Sequence, residues 1–252
     1  MEGTAVPGRL SSGPRPWEVA TVTAVMSETA SVRTIGLGVP SWPGHRAGQH
    51  LDVRLTAEDG YSAERSYSIA AAADDPVAIT VERLEDGEVS PYLTEDVRVG
   101  DQLEIRGPVG GYFVWETADG GPLLLVAGGS GIVPLRAILR QREHSRSDVP
   151  VKLLYSARTL ADLIYRDELD SYHDGVELIY TLTREQPAGW TGYARRVDRS
   201  LLAETAWPAG KNPLAFVCGP TSFVETVAGG LVALGYEPGR VKTERFGGTG
   251  GP

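Results

Sequence analysis

LLLVAGGSGIVPLRAIL, residues 123–139, decides the fold. Its first five residues are apolar without alternation, the pattern of a strand covered on both faces. Gly128, Gly129 and Gly131 follow, with Ser130 between them, and the apolar residues then recur at Ile132, Leu135, Ile138 and Leu139, a helical spacing. The expected helix covers about 133–143. A buried strand, a glycine-rich turn and a helix make the first half of a parallel β-α-β unit.

The same rhythm continues downstream in VKLLYSA (151–157), VELIYTLT (176–183), PLAFVCG (213–219) and RVKTERF (240–246), with helices expected over about 161–171, 195–204 and 222–234. Upstream the rhythm differs. Six short runs, WEVATVTAVM, SVRTIGLGV, QHLDVRLT, RSYSIAA, VAITVERL and DQLEIRG, are broken by Gly, Pro and Asp, and one helical turn falls at 90–94. Such spacing fits an antiparallel barrel or sandwich. The expectation is therefore two domains: an antiparallel β-barrel over 17–117 and an α/β doubly wound parallel sheet over 122–246. A Gly/Pro/Ser-rich N-terminus at 1–16, expected to be flexible, and a tail at 247–252 complete the chain.

With 252 residues and 41% apolar composition, the chain can bury a core in each domain. Cys218 is the only cysteine, which excludes an internal disulfide and a cysteine-ligated iron–sulfur cluster carried by this chain alone. His45, His50, His144 and His173 have no metal-ligand spacing, so no metal site is expected. A formal charge of −9 argues against nucleic acid or an anionic membrane as the main partner. No run of about 18 apolar residues and no signal-peptide-like N-terminus is present, so no integral membrane segment and a cytoplasmic location are expected. Nothing in the sequence reports the oligomeric state.

Several short segments carry chemistry. Gly128, Gly129, Ser130 and Gly131 allow a pyrophosphate to approach the backbone at a helix start. Ser156 and Arg158 end the second strand of that domain, where ligands of open α/β sheets lie; read alone, Arg158 is better taken as a solvated loop arginine. Cys218, Gly219 and Pro220 end the fourth strand, where a cysteine also packs as a small apolar residue. In ERSYSIA (64–70), Arg65 and Tyr67 share one face of a strand and Ser68 takes the other. An arginine suits a phosphate, a tyrosine a planar ring and a serine a polar ring atom. In DGEVSPYL (86–93), Gly87 and Ser90 open a helical turn, with N-capping the alternative role for Ser90.

In chain order, R-x-Y-S at 65–68, G-x-x-S at 87–90, G-P-x-G at 107–110, the glycine-rich turn, C-G-P at 218–220 and E-x-F at 244–246 resemble the motifs of the ferredoxin-NADP reductase superfamily. The resemblance covers about residues 17–247. It implies a flavin-binding barrel followed by an NAD(P)-binding α/β domain. FAD would be held by Arg65, Ser66, Tyr67, Ser68, Gly87, Val89 and Ser90, with Val81 and Arg83 touching it and Phe246 covering one flavin face. Gly128, Gly129, Ser130, Gly131, Ser156, Arg158, Gly219 and Pro220 would bind the nicotinamide dinucleotide. Ser68, Cys218 and Glu244 would tune hydride transfer from NAD(P)H to flavin N5.

NADPH is expected over NADH, because Arg158 can pair with a 2′-phosphate; Asp162, further along, points slightly the other way. Longer reductases of this superfamily carry an iron–sulfur domain with four cysteines, which this sequence lacks. The electrons are therefore expected to pass singly to a separate redox protein, such as a ferredoxin, an oxygenase component, or a haem or molybdenum enzyme. Alternatives are a reductase of a diffusible acceptor, free flavin or ferric chelate, and a flavin-binding regulatory subunit without turnover.

Overall fold

A computed structural model describes residues 15–246. The expected flexible stretch lies outside the described residues at 1–14, as does the tail at 247–252. Six strands form the first sheet: β1 (Glu18–Thr29), β2 (Val32–Gly38), β3 (His50–Thr56), β4 (Ser62–Ser68), β5 (Ala78–Glu82) and β6 (Gln102–Val109). They pair antiparallel in the order β4-β3-β6-β1-β2-β5. Ile69, just past β4, bridges to Ile79 of β5, so the two edge strands meet and the sheet closes into a barrel. Alternate residues such as Ile35, Leu37, Leu51, Val53, Leu103 and Ile105 point inward and form its core.

Five strands form the second sheet: β7 (Leu123–Gly128), β8 (Val151–Ala157), β9 (Val176–Leu182), β10 (Leu214–Pro220) and β11 (Val241–Phe246). All are parallel, in the order β11-β10-β7-β8-β9. Every residue of β7 is buried, as its unalternating apolar run requires. One face packs on α1 (Ile132–His144), with Leu135 and Ile138 against Leu125, Leu153 and Phe216. The other packs on α3 (Arg199–Thr205) and α4 (Thr221–Ala233) through Leu201, Leu202, Val224, Val227 and Leu231. Phe113 and Trp115, between the two sheets in sequence, join the α1-side core, Phe113 meeting the Phe216 ring edge-on at 5.2 Å.

Two helices depart from the sequence expectation. The helix expected over 161–171 is broken: Thr159 and Asp162 close a capping turn, Tyr165 turns into the left-handed region at φ 59°, and only α2 (Arg166–Ser171) is helical. The pull is tertiary, because the Tyr165 side chain is buried and its hydroxyl bonds Thr80 of the barrel. The helix expected from 195 starts at Arg199, because Asp198 caps it by accepting the Leu201 N–H at 2.8 Å. Tyr193 instead bridges to Thr181 at the β9 edge.

Strand order reverses between β7 and β10, the place where an open α/β sheet leaves a crevice beyond its strand ends. There the segments that follow β7 and end β10 touch through glycines. A Cβ on Gly131 would lie 2.1 Å from the Cys218 carbonyl oxygen, and one on Gly219 would lie 3.3 Å from Gly128 Cα. By contrast a Cβ on Gly129, at φ 55°, meets nothing within 4 Å, so the backbone there faces open space. Gly131→Ala should therefore cost about 3 kcal/mol or more, and Gly129→Ala only about 1 kcal/mol for its positive φ. In thermal melts the first should lower the midpoint by about 6 °C or more and the second by roughly half as much or less. Equal losses would show that the two turns are not packed in this way.

Candidate functional site

The end of β11 meets barrel strand β3 across the domain junction, where Glu244 approaches His50, and most other singled-out residues lie on β4, in the 87–90 turn and at the ends of β7, β8 and β10. Arg65 is exposed on β4; its Nη2 meets Glu88 Oε2 at 2.6 Å, and its Nη1 donates to the Glu64 carbonyl at 2.7 Å. Tyr61 donates its hydroxyl to the other Glu88 oxygen at 2.6 Å. Glu88 thus ties β4 to the 84–90 turn, and its carboxylate is held below the usual range by these hydrogen bonds, Tyr61's first. Tyr67 is half-buried against the barrel core, and burial pushes its phenol up to about 12, with Arg65 opposing. Ser66 lies on the opposite strand face from Arg65 and Tyr67, where its hydroxyl donates to Asp52 at 2.6 Å.

Ser90 is buried, and its hydroxyl accepts the Leu84 N–H at 3.0 Å. A Cβ on Gly87 would sit 2.7 Å from that oxygen, so Gly87 and Ser90 form one closed turn, and Val89 anchors it in the barrel core. Val81 is wholly buried in that core. Arg83 pairs with Glu95 and, with Arg33 and Ser31, lines a separate shallow pocket of about 300 Å³. The structure therefore gathers Arg65, Gly87 and Ser90 around one turn, with Tyr67 along the strand from Arg65, and pairs the Arg83 side chain with Glu95.

In the second sheet, Ser156 stands beside Gly128 in register and is buried, whereas Arg158 is exposed. Phe246 stands beside Pro220 and is half-buried. Cys218 stands beside Glu244 in the β10–β11 ladder. Burial first, and then the neighbouring Glu244 charge, pushes the Cys218 thiol well up, so it is a neutral thiol at physiological pH. Burial also raises the Glu244 carboxyl to about 7, and its buried Oε2 has no hydrogen-bond partner among the described residues. Leaving such an atom unpaired costs roughly 1–3 kcal/mol, which marks this oxygen as one that a bound molecule would satisfy.

His50 was not singled out for this site, yet it completes it. It lies opposite Ser68 in the β3–β4 register, and its Nδ1 is 3.9 Å from Glu244 Oε1. Gly110, at φ 92°, leaves room for it, since a Cβ there would meet the imidazole at 3.3 Å. Burial lowers the His50 pKa while it raises that of Glu244. Near neutrality this is a contact between a neutral imidazole and a carboxyl close to its midpoint, too long for a direct hydrogen bond. In the sequence His50 is considered only as a metal ligand and set aside, and its place opposite Ser68 follows from the β3–β4 register. Among the described residues no cluster of three or more His, Cys, Asp or Glu is placed to hold a metal ion.

Arg184, at the end of β9, was also missed. Its amide donates to the Arg158 carbonyl at 2.9 Å, which brings two arginines together at one corner of the sheet. Asp162 Oδ2 is engaged in its own turn, accepting the Thr159 amide at 2.9 Å and hydroxyl at 2.8 Å.

These features fit a flavin and a nicotinamide dinucleotide: an exposed guanidinium on the strand that carries Tyr67, an open glycine turn at a strand–helix junction, and a buried carboxyl oxygen without a partner among the described residues. A family model described as an oxidoreductase FAD-binding domain matches residues 19–114, and one described as an oxidoreductase NAD-binding domain matches 125–229. The chain belongs to the ferredoxin-NADP reductase superfamily. It is 32% identical over 235 residues to a glycine betaine monooxygenase reductase subunit of Chromohalobacter salexigens, covering 89% of this chain and 63% of that protein. It is 31% identical to the NADH oxidoreductase HCR of Escherichia coli, covering 87% and 65%. The chain thus spans less than two thirds of the length of either relative. The flavohaem-like FAD/NAD-binding domain of nitric oxide dioxygenase from Vibrio cholerae superposes with a TM-score of 0.82 at 26% identity, covering 92% of this chain and 99% of that one. Among the described residues no helix is long and apolar enough to cross a membrane.

Two outcomes test the superfamily site. Arg65→Ala should leave the barrel folded but lower the FAD retained through gel filtration several-fold; undiminished FAD would remove Arg65 from the pyrophosphate site. Glu244 should make stability fall with pH. Its folded carboxyl keeps a proton up to about pH 7, whereas the unfolded one loses it near 4.5. The stability it contributes is full below pH ~4.5 and is lost as pH rises to about 7, by on the order of 3 kcal/mol. Glu244→Gln, which cannot ionise, should gain stability relative to the native protein between pH 5 and pH 7. His50 titrates in both proteins and cancels in that difference. A pH-independent difference in urea midpoint would contradict the burial argument.

Proposed function

We propose that this protein is an FAD-dependent NAD(P)H oxidoreductase whose electrons leave singly for a separate redox protein. The observation that carries the reading is the Glu244 carboxyl, whose Oε2 has no partner among the described residues, standing beside Cys218 and 3.9 Å from His50 of the barrel, the residue paired with Ser68. When bound, the flavin supplies the redox chemistry, accepting a hydride at N5 and releasing electrons one at a time. The chain supplies position, dryness and proton handling.

Arg65 would hold the flavin pyrophosphate. To do so it must share or release Glu88, and the guanidinium has enough donors to serve both. Gly87, Val89 and Ser90 would form the turn beneath that pyrophosphate, Ser66 would contribute through its backbone, and Tyr67 would lie along the ring. Ser68 would reach the ring edge, with His50 behind it, and Glu244 near its midpoint can give or take a proton there without large cost. Cys218, neutral and apolar, suits contact with a nicotinamide ring, and Phe246 the other flavin face. The Gly128–Gly131 turn, with Gly219 and Pro220 opposite, would seat the dinucleotide's pyrophosphate, and Ser156 its ribose.

NADPH is the proposed nucleotide. Support comes from the paired strand ends carrying Arg158 and Arg184, and from the engagement of Asp162 in its own turn. Glu185, whose amide also meets the Arg158 carbonyl, at 3.3 Å, is the carboxylate that could favour NADH instead, and the E. coli relative is named an NADH oxidoreductase. As acceptor we propose an oxygenase-type redox partner, by analogy with the monooxygenase reductase subunit among its relatives.

Anaerobic mixing with each nucleotide is the deciding experiment. The yellow holoprotein should bleach on NADPH, and failure with both nucleotides would leave a flavin-binding subunit without turnover. Arg158→Ala should raise KM for NADPH by ~10-fold or more, the equivalent of ~1.4 kcal/mol, with little change for NADH. Equal effects on both would remove the 2′-phosphate role.

A further inference from the structure

The segment at 70–75 continues directly from β4 and is gripped by one face of α1. Arg136 donates to the Ala70 carbonyl through Nη1 at 2.5 Å, and Gln141 Oε1 accepts the Ala73 amide at 3.0 Å. Arg140 Nε meets Asp75 at 2.8 Å, and Asp75 in turn accepts the Ala72 amide at 3.1 Å. Residues 136 and 140 lie on one helix side because i and i+4 are neighbours, and Gln141 reaches the segment from the adjoining flank. Arg136 is itself fixed: its Nε and Nη2 fork Glu168 of α2 at 2.5–3.0 Å, and its guanidinium lies 4.5 Å from the centre of the Tyr165 ring. Tyr165 keeps a left-handed backbone at φ 59°, and its hydroxyl bonds Thr80 in the barrel, which bonds Thr34 at 2.8 Å. A tyrosine holds that conformation at a cost of about 1 kcal/mol or more only where its surroundings over-determine it.

The clamp sits midway between the two halves of the site. Ala70 is two residues beyond Ser68, ~7 Å of strand. Arg136 is five residues beyond Gly131, ~7.5 Å of helix. One side chain thereby links the strand that faces the flavin with the helix that starts at the nucleotide turn.

We propose that Arg136, through Ala70, is a positioning residue for hydride transfer: it sets the spacing between the end of β4 and the Gly128–Gly131 turn, so that nicotinamide and flavin stack. It rests on the oxidoreductase reading above. Each domain can hold its own cofactor without the clamp; only their mutual approach depends on it. A displacement of about 1 Å at the reacting atoms is sufficient to cost ~100-fold in rate.

The test compares native holoprotein with Arg136→Ala, Arg136→Lys and Tyr165→Phe. Arg136→Ala should retain FAD within twofold and hold NADPH with a Kd within a few-fold. At saturating NADPH it should bleach ~100-fold more slowly, and the long-wavelength charge-transfer absorbance of stacked nicotinamide and flavin should be lost. Hydrogen exchange at the Ala73 amide should accelerate. Arg136→Lys, which keeps the charge but not the fork, should fall between. Tyr165→Phe removes only a hydroxyl, serves if Arg136→Ala does not fold, and should slow saturated bleaching several-fold. Unchanged saturated bleaching and charge-transfer absorbance in the folded Arg136→Ala protein, or in Tyr165→Phe where that must stand in for it, would overturn the proposal. A native protein that takes up no FAD, or is bleached by neither nucleotide, would overturn the oxidoreductase reading instead.

Discussion

The approach of Gly131 to the Cys218 carbonyl is the constraint on which the second domain's site depends. No side chain fits between them, since a Cβ would come within 2.1 Å of that oxygen. Because β7 and β10 are adjacent parallel strands, this contact fixes where α1 begins relative to the end of β10. The β10–β11 ladder then sets Glu244 beside Cys218 and Phe246 beside Pro220 with no further freedom. From α1 outward, Arg136, Arg140 and Gln141 carry the same placement to the residues that follow β4. A backbone contact at the switch point therefore propagates to the barrel.

What the sequence made legible were features imposed by the local backbone. The unalternating run at 123–127, the glycines at 128–131 and the alternation of barrel strands are each read from a few consecutive residues, and the resulting fold class is the one observed. What stayed hidden needed a partner distant in the chain. His50 acquires its meaning only from the β3–β4 register and from Glu244, almost 200 residues on. Arg184 does so only because β9 runs beside β8. Glu88 sits within the stretch already read for Gly87, Val89 and Ser90, but its pairing with Arg65 depends on how the turn folds onto β4. A motif position likewise does not declare which face a side chain takes, which is why Ser66 meets Asp52, and Arg83 meets Glu95, away from the gathered residues. The break at Tyr165 follows the same logic: helical pattern from 161 to 171 yields to a side chain drawn into the barrel.

The distribution of charge separates two kinds of chemistry. Arg65 and Arg158 lie exposed on the perimeter, where a phosphate can be met while remaining partly hydrated. At the centre, Tyr67, Cys218 and Glu244 are all shifted in the direction that burial imposes, and burial is the first cause for each. No cation relieves Glu244, since His50 is itself lowered by burial. A centre that disfavours charge suits the proposed stacking of two apolar rings and holds a carboxyl near its midpoint, where it exchanges a proton at small cost. Such a centre is dry only while the two domains remain pressed together. The grip of α1 on residues 70–75 ties the two domains together, and so bears on the burial that keeps Cys218 a neutral thiol and Glu244 near its midpoint.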